Sequence, residues 1–395
     1  MITVNDFCKK EYGKKLYKIS FNAGFTCPNR DGSLSTKGCI FCSQGGSGDF
    51  AVRISEKEIV ARDDGTYEYS PEFEESFAKA KAKVAKKYKG NEYIAYFQAY
   101  TNTYGDIDRL RDIYLPIVKR DDVAVLSIAT RPDCISEEVY SLLEELAAIK
   151  PVWVELGLQT TKEKSVQLIN RSYENDVYDR AVKRLNSIGV HTITHVILYL
   201  PGEDRKDMLN TVKHAVKAGT KGIKLQLLHI LKNTALADMY RDNPFYIPSL
   251  EEYAEIVKSC LEVIPEEVIL HRITGDAPKK LLIEPKWSAD KKTVINTVMD
   301  TVNPPEPYYV YMLGCGDGSY YTGSTNDVSK RFAKHSSGKG CKYTASHQPV
   351  ELIYVEECRG KRAALTREYQ IKQLSKVQKK ELISSEINIV DALKS

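Results

Sequence analysis

Between about Asn91 and Thr274 the chain repeats one pattern: a short, almost wholly apolar run, then a longer amphipathic one. YIAYFQAY (93–100), VAVLSIAT (123–130), PVWVELGLQ (151–159), THVILYL (194–200) and GIKLQLLHI (222–230) read as strands. DIDRLRDIYLPIVK (106–119) and EEVYSLLEELAAI (137–149) read as helices between them, and KLYKISFN (15–22) supplies an earlier strand. Strands that are apolar on both faces need helices on both sides, which implies a parallel sheet. Six such units predict an α/β fold, a partial (β/α)6 barrel of the TIM type. Ligand sites in such barrels gather at the C-terminal ends of the strands.

The grammar changes after NPPEP (303–307), whose prolines end a helix and stiffen a junction. YYVYML (308–313) and YYTGST (320–325) read as two strands joined by a Gly/Asp turn, and VELIYVEEC (350–358) as a third. NDVSKRFAKHSSG (326–338) carries helix start and stop signals, and 362–383 is helical, in one piece or two. The expected organisation is a first domain over 1–302, a linker at 303–307 and a small mixed α/β domain over 308–395.

No apolar run approaches the ~20 residues of a membrane span, and MITVNDFCKKEYGKK lacks the apolar core of a signal peptide. Both features lead to the expectation of a cytoplasmic protein with no membrane partner. The nine cysteines are an odd number, which argues against a disulfide framework. Net charge is only +4, yet 13 Lys and Arg stand against four Glu between Val328 and Lys380. Such a basic stretch suits a phosphate backbone, or simply a solvated helical surface.

FTCPNRDGSLSTKGCIFC places Cys27, Cys39 and Cys42 in one glycine-rich loop after the first strand. A structural zinc site needs four ligands, and no fourth Cys or His lies near in sequence. Three thiolates on a four-iron cluster leave one iron open for a small molecule. Zinc or an unrelated iron–sulfur site is the rival reading. Cys8, Cys134 and Cys260 read as ordinary buried thiols.

With this loop, FQAYTNTYGD (97–106), SIATRPDC (127–134), ELGLQT (155–160), INRSY (169–173) and LPGE (200–203), the chain resembles the radical S-adenosylmethionine enzymes. It is most similar to the YhcC-like branch related to the catalytic subunit of Elongator, over roughly residues 4–300. The resemblance implies a [4Fe-4S] cluster on Cys27, Cys39 and Cys42, with Phe41 shielding one side of it. It implies S-adenosyl-L-methionine beside Gln98, Tyr100 and Asn102, and further contacts from Thr130, Arg131, Gln159 and Arg171. Gln159 and Arg171 equally suit the task of satisfying polar groups inside a barrel. The implied chemistry is one-electron cleavage of the sulfonium to a 5′-deoxyadenosyl radical, with an electron donor such as flavodoxin or ferredoxin. Elongator-like relatives act on the wobble uridine of tRNA, so nucleic acid, tRNA first, is the expected partner.

In the last quarter, Tyr311 and Tyr321 stand on the hairpin, Arg331 and His335 share a helix face at i,i+4, and Glu368 lies on a later helix. Together they are the parts needed to hydrolyse a phosphodiester. The segment 307–385 is similar to the small bacterial GIY-YIG nuclease domains. That resemblance implies catalytic roles for all five, with a divalent metal, Mg or Mn, on Glu368. Tyr309 replaces the Gly of the first motif, YTG replaces YIG, and Ser324 stands where some relatives place a lysine. A domain that binds nucleic acid without cutting it is the competing expectation, as is a structure-specific nuclease whose cluster is structural or redox-sensing.

Overall fold

In the computed structural model, which describes residues 2–393, six strands lie side by side in chain order. They are β1 (Tyr17–Asn22), β2 (Tyr93–Phe97), β3 (Val123–Thr130), β4 (Val152–Gln159), β5 (His191–Leu198) and β6 (Gly222–Leu227). Each pairs in parallel with the next. A seventh strand, β7 (Ile269–Arg272), adds to β6 in parallel, and the two-residue segment Val52–Arg53 adds to the free edge of β1. The eight-stranded sheet is the parallel α/β architecture that the apolar runs imply.

Burial explains why these runs are strands. All five residues of β2 and six of eight in β3 are buried, so neither face can be left to water. Three of the amphipathic helices between are capped by the residues that precede them. Asp106 accepts from the backbone of Asp108 and Arg109, Ser136 from Val139, and Asp204 closes a capping box with Asp207.

The sheet is curled. Lys224 on β6 donates to the Tyr96 hydroxyl on β2 at 3.3 Å. Four strand intervals in a flat sheet would hold them about 19 Å apart. Only a partial barrel brings these side chains together on its axis.

Three predicted strands end early, the 194–200 run at Leu198, before Tyr199 with φ 64°. The 93–100 run stops at Phe97, and Tyr100 has φ 59°, a left-handed conformation no strand accommodates. The 222–230 run breaks after Leu227, and Ile230–Leu231 pairs antiparallel with Leu282–Glu284 instead. A short hairpin (Ile59–Ala61 with Tyr67–Tyr69) and the helix Pro71–Ala82 lie between β1 and β2. Both fall outside the periodic region of the sequence.

Two units divide at Val298, inside the helix Lys291–Val302. In the second, β8 (Tyr308–Cys315), β9 (Tyr320–Thr325) and β10 (Val350–Cys358) form an antiparallel sheet in the order β9-β8-β10. Alternate residues of β8 feed two cores. Tyr311 and Leu313 pack with Val328, Leu352 and Val355 on one face. Val310 and Met312 pack with Tyr354, Ala364 and Ile371 on the other. Asp327 caps the helix Val328–Ser336, and the helical tail forms two pieces, Gly360–Gln373 and Lys376–Ile383. Among the described residues no helix is long and apolar enough to cross a membrane.

Candidate functional sites

The loop after β1 is fastened from both sides. Asn29, wholly buried, donates to the Asn170 carbonyl at 2.6 Å and accepts from the Ser172 hydroxyl at 3.0 Å. Its amide also points at the Cys39 sulfur, 3.6 Å away. Arg30 donates to the carbonyls of Cys42 and Ser43, both at 2.8 Å. Asn170 donates to the Gly38 carbonyl at 2.8 Å, and the Ile40 amide donates to that of Ile169. The INRSY segment therefore holds the loop on one side. Tyr100 holds the other, through its amide to the Gly46 carbonyl and its hydroxyl to that of Gln44.

One cavity at the C-terminal ends of the strands is lined by Cys27, Cys39 and Cys42, with Phe41, Gln98, Tyr100, Thr130, Arg131, Gln159 and Arg171. Burial, with Cys42 close by, pushes the Cys39 thiol up to about 12, and burial raises that of Cys42. Among the described residues, no three Cys, His, Asp or Glu side chains gather tightly enough for a single ion. Three thiols that line one cavity without gathering on a single ion suit separate irons of a polynuclear cluster, and Gln98 and Tyr100, just beyond the β2 end, line the same cavity. These residues fit a cluster on Cys27, Cys39 and Cys42 with a small cofactor beside it.

Other residues singled out from sequence serve the frame. Asn102 is fully buried, off the cavity lining, and donates to the Ala129 carbonyl at 2.8 Å. Thr130 bonds the Thr103 hydroxyl at 2.6 Å, and Arg131 forms a two-pronged pair with Asp133. All five N–H groups of Arg171 are occupied by the carbonyls of Tyr173 (twice), Leu158 and Thr160 and by the Asn175 side chain. With no donor left for a ligand, Arg171 clamps the end of β4. Arg171→Ala is expected to destabilise the first unit by about 2–4 kcal/mol by orphaning buried carbonyls. Lysine would not rescue it, lacking the planar fork. Thermal unfolding followed by tryptophan fluorescence measures this, because Trp153 and Trp287 both lie in that unit.

The barrel floor holds a polar network that the sequence reading passed over. Glu155 on β4 is 1% exposed. One carboxylate oxygen accepts from Lys18 of β1 and from Ser127 of β3 at 2.9 Å. The other accepts from Lys224 of β6 and faces His195 Nε2 of β5 at 2.7 Å. Gln226 bonds His195 Nδ1 at 3.2 Å. Glu155, His195, Gln226 and Tyr96 line the same cavity as the cysteines. The signal was present in the sequence: one charged residue inside each of three apolar strands.

The second unit gathers the five residues of its candidate site around two short chains of contacts. Arg331 Nε donates to the Tyr311 hydroxyl at 3.1 Å, and that hydroxyl meets His335 Nε2 at 2.9 Å. His335 is buried, and its Nδ1 lies 2.7 Å from the Thr344 hydroxyl. The Tyr321 ring lies 5.1 Å from that of His335. Burial and the Arg331 charge lower the His335 pKa, so the imidazole is neutral at pH 7. Burial raises the Tyr311 hydroxyl against the pull of Arg331. The glycine of YTG is a steric necessity, because a Cβ on Gly323 would sit 2.6 Å from the Tyr311 oxygen. Glu368 is engaged by protein donors on both oxygens, Ser324 Oγ at 2.5 Å and Lys372 Nζ at 2.5 Å.

Family profiles match in the same order as the structure. The Radical SAM superfamily profile matches residues 27–215, the Radical_SAM C-terminal domain profile 220–303, and the GIY-YIG catalytic domain profile 307–381. The chain is 39% identical over 296 residues to the uncharacterized protein YtqA of Bacillus subtilis (strain 168), spanning 75% of this chain and 87% of that protein. It is 33% identical over 285 residues to protein YhcC of Escherichia coli (strain K12), spanning 72% of this chain and 86% of that one. The C-terminal unit is 47% identical over 77 residues to the UPF0213 protein BH0048 of Halalkalibacterium halodurans, spanning 20% of this chain and 82% of that one. With the cysteine loop mounted on a partial barrel and the Tyr311–Arg331–His335 cluster on a separate sheet, the chain belongs to the radical SAM superfamily, alongside YtqA and YhcC, and carries a GIY-YIG domain behind it.

Proposed function

We propose that the barrel modifies a nucleic acid, tRNA first, by radical chemistry, and that the C-terminal domain engages nucleic acid and hydrolyses phosphodiesters with a divalent metal. The observation that carries this reading is the pairing, in one chain, of the three-cysteine cavity with a basic domain built around Tyr311, Arg331, His335 and Glu368. When bound, the cluster and S-adenosylmethionine would supply a 5′-deoxyadenosyl radical, with electrons from a flavodoxin- or ferredoxin-type donor in the cytoplasm. The chain's share is to hold the cluster through Cys27, Cys39 and Cys42 and to seat the cofactor against the β2 end. Its cavity walls also orient the reacting atoms. Comparing modified nucleosides in tRNA from cells with and without the protein, by mass spectrometry, tests the substrate. Identical profiles would remove tRNA from the reading.

In the second unit, neutral His335 can take the Tyr311 proton at Nε2 as the Tyr311 oxygen takes one from the attacking water, while Arg331 neutralises the phosphate. The two transfers are concerted, because burial raises the Tyr311 hydroxyl and lowers His335. A second reading has its own support: both Glu368 oxygens are held by Ser324 and Lys372, so a metal must share or displace them, which favours a domain that binds without cutting. Glu368→Ala distinguishes the two. Metal-dependent cleavage should fall at least 100-fold with binding retained. No cleavage by the wild-type chain under any divalent metal would leave the binding role.

A further inference from the structure

Two aromatic residues of the second unit stand exposed, Tyr369 on the helical tail and Tyr343 beside the candidate site. Tyr343 is 41% exposed, although its ring is fixed on three sides. It stacks on His347, with ring centroids 4.3 Å apart and 16° between planes. Its hydroxyl donates to Ser319 Oγ at 2.8 Å. Its other neighbour is the candidate catalytic Tyr321, 6.2 Å away at 26°. The rings of His335, Tyr321, Tyr343 and His347 thus form a row from the buried hydrolytic cluster to the surface. Tyr343 contributes to neither core of the unit. In the same stretch of chain, Lys330, Lys334, Lys339 and Lys342 are all exposed.

We propose that Tyr343 is a stacking platform for an unpaired base next to the candidate hydrolytic centre. The domain would then select single-stranded, looped or frayed nucleic acid over closed duplex. In a closed duplex the base faces are covered and the grooves show only base edges. An unpaired base offers its π-face, and aromatic rings beside a cationic track are how proteins take such strands without reading sequence. A ring already held by Ser319 and His347 loses little freedom when a base settles on it. The lysines supply the backbone contacts, which distinguish strand from duplex poorly. This inference rests on the nucleic-acid reading of the domain and adds to it which form of nucleic acid is taken.

The test uses the full chain in EDTA, with fluorescence anisotropy of a labelled single strand and of a blunt duplex of the same sequence. Wild type should bind the single strand more tightly. Tyr343→Ala should weaken single-strand binding about tenfold and leave duplex binding within about twofold, and Tyr343→Phe should keep most of the preference because the ring remains. Lys334→Ala should weaken both probes alike and flatten the salt dependence. Equal loss on both probes in Tyr343→Ala, or no loss on either, overturns the platform while leaving nucleic-acid binding intact. Absence of binding to either probe by wild type overturns the nucleic-acid reading itself, and the platform with it. Matching melting curves of the two Tyr343 variants and wild type exclude misfolding as the cause.

Discussion

Cys39→Ala is expected to bring 5′-deoxyadenosine formation down to background in anaerobically reconstituted, reduced protein supplied with S-adenosylmethionine. The loss should be complete because the loop offers three thiols and no reserve. Among the described residues no further Cys, His, Asp or Glu completes a metal-binding group there. The Cys39 sulfur lies 3.6 Å from the buried amide of Asn29, and burial disfavours its thiolate unless a cationic centre stabilises it. Bound iron should fall in the same variant, so the readout does not depend on turnover. Cys134→Ala is the matched control. That residue lies near the loop, yet its backbone carbonyl, accepting from Thr103, is what the fold uses. It should keep both iron and product. Wild-type levels of 5′-deoxyadenosine in Cys39→Ala would overturn the assignment of the loop, whereas loss of iron in both variants would show that the loop tolerates no change rather than that Cys39 is a ligand.

The parts of this site that could be read from sequence are those whose signal is local. The barrel strands announce themselves because burial on both faces leaves almost nothing polar in them. The cysteine loop and the YVY and YTG motifs are contiguous. The barrel floor is different: Lys18, Glu155 and Lys224 are separated by 137 and 69 residues, and only the curl of the sheet makes them neighbours. Each alone looks like a stray charge in an apolar strand. Arg171 shows the converse. Its place in INRSY suggested a cofactor contact, but its donors are committed to carbonyls that become available only once β4 ends where it does. Likewise the roles of Thr344 against His335 and of Tyr343 beside Tyr321 depend on the fold.

Glu155→Ala is expected to cost the first unit about 3–5 kcal/mol at neutral pH, a large share of the 5–15 kcal/mol typical of a domain. The carboxylate is the anion shared by two lysines, one of them with a side chain only 4% exposed. Removing it strands those charges, which costs more than the pair itself contributes. Replacing Glu155, Lys18 and Lys224 together with apolar residues of similar volume should recover most of the loss, and this separates stranded charge from simple cavity formation.

Acid should act on the same floor in two stages. Burial pushes His191, His195 and His229 down to about 4, and His271 further, so all four are neutral in the folded chain. Unfolded, each takes a proton as pH falls through about 6.5. Their contribution is therefore complete above 6.5 and is lost toward pH 4, at up to about 1.4 kcal/mol per pH unit for each histidine. Burial alone would raise the Glu155 carboxyl, but Lys18, Lys224 and His195 hold it well below the ordinary range. Its stabilisation is present above about 4.3 and fails only as pH falls further. Urea unfolding followed by tryptophan fluorescence reads this unit alone, since both tryptophans lie in it. Midpoints should drop steeply between pH 6.5 and 5 in wild type and fall in parallel, from a lower start, in Glu155→Ala. A midpoint independent of pH over that interval would mean that the four histidines take protons in the folded barrel. A wild-type midpoint in Glu155→Ala at pH 7.5 would mean that Lys224, whose pKa burial already pulls well below the ordinary range, sheds its proton once Glu155 is gone.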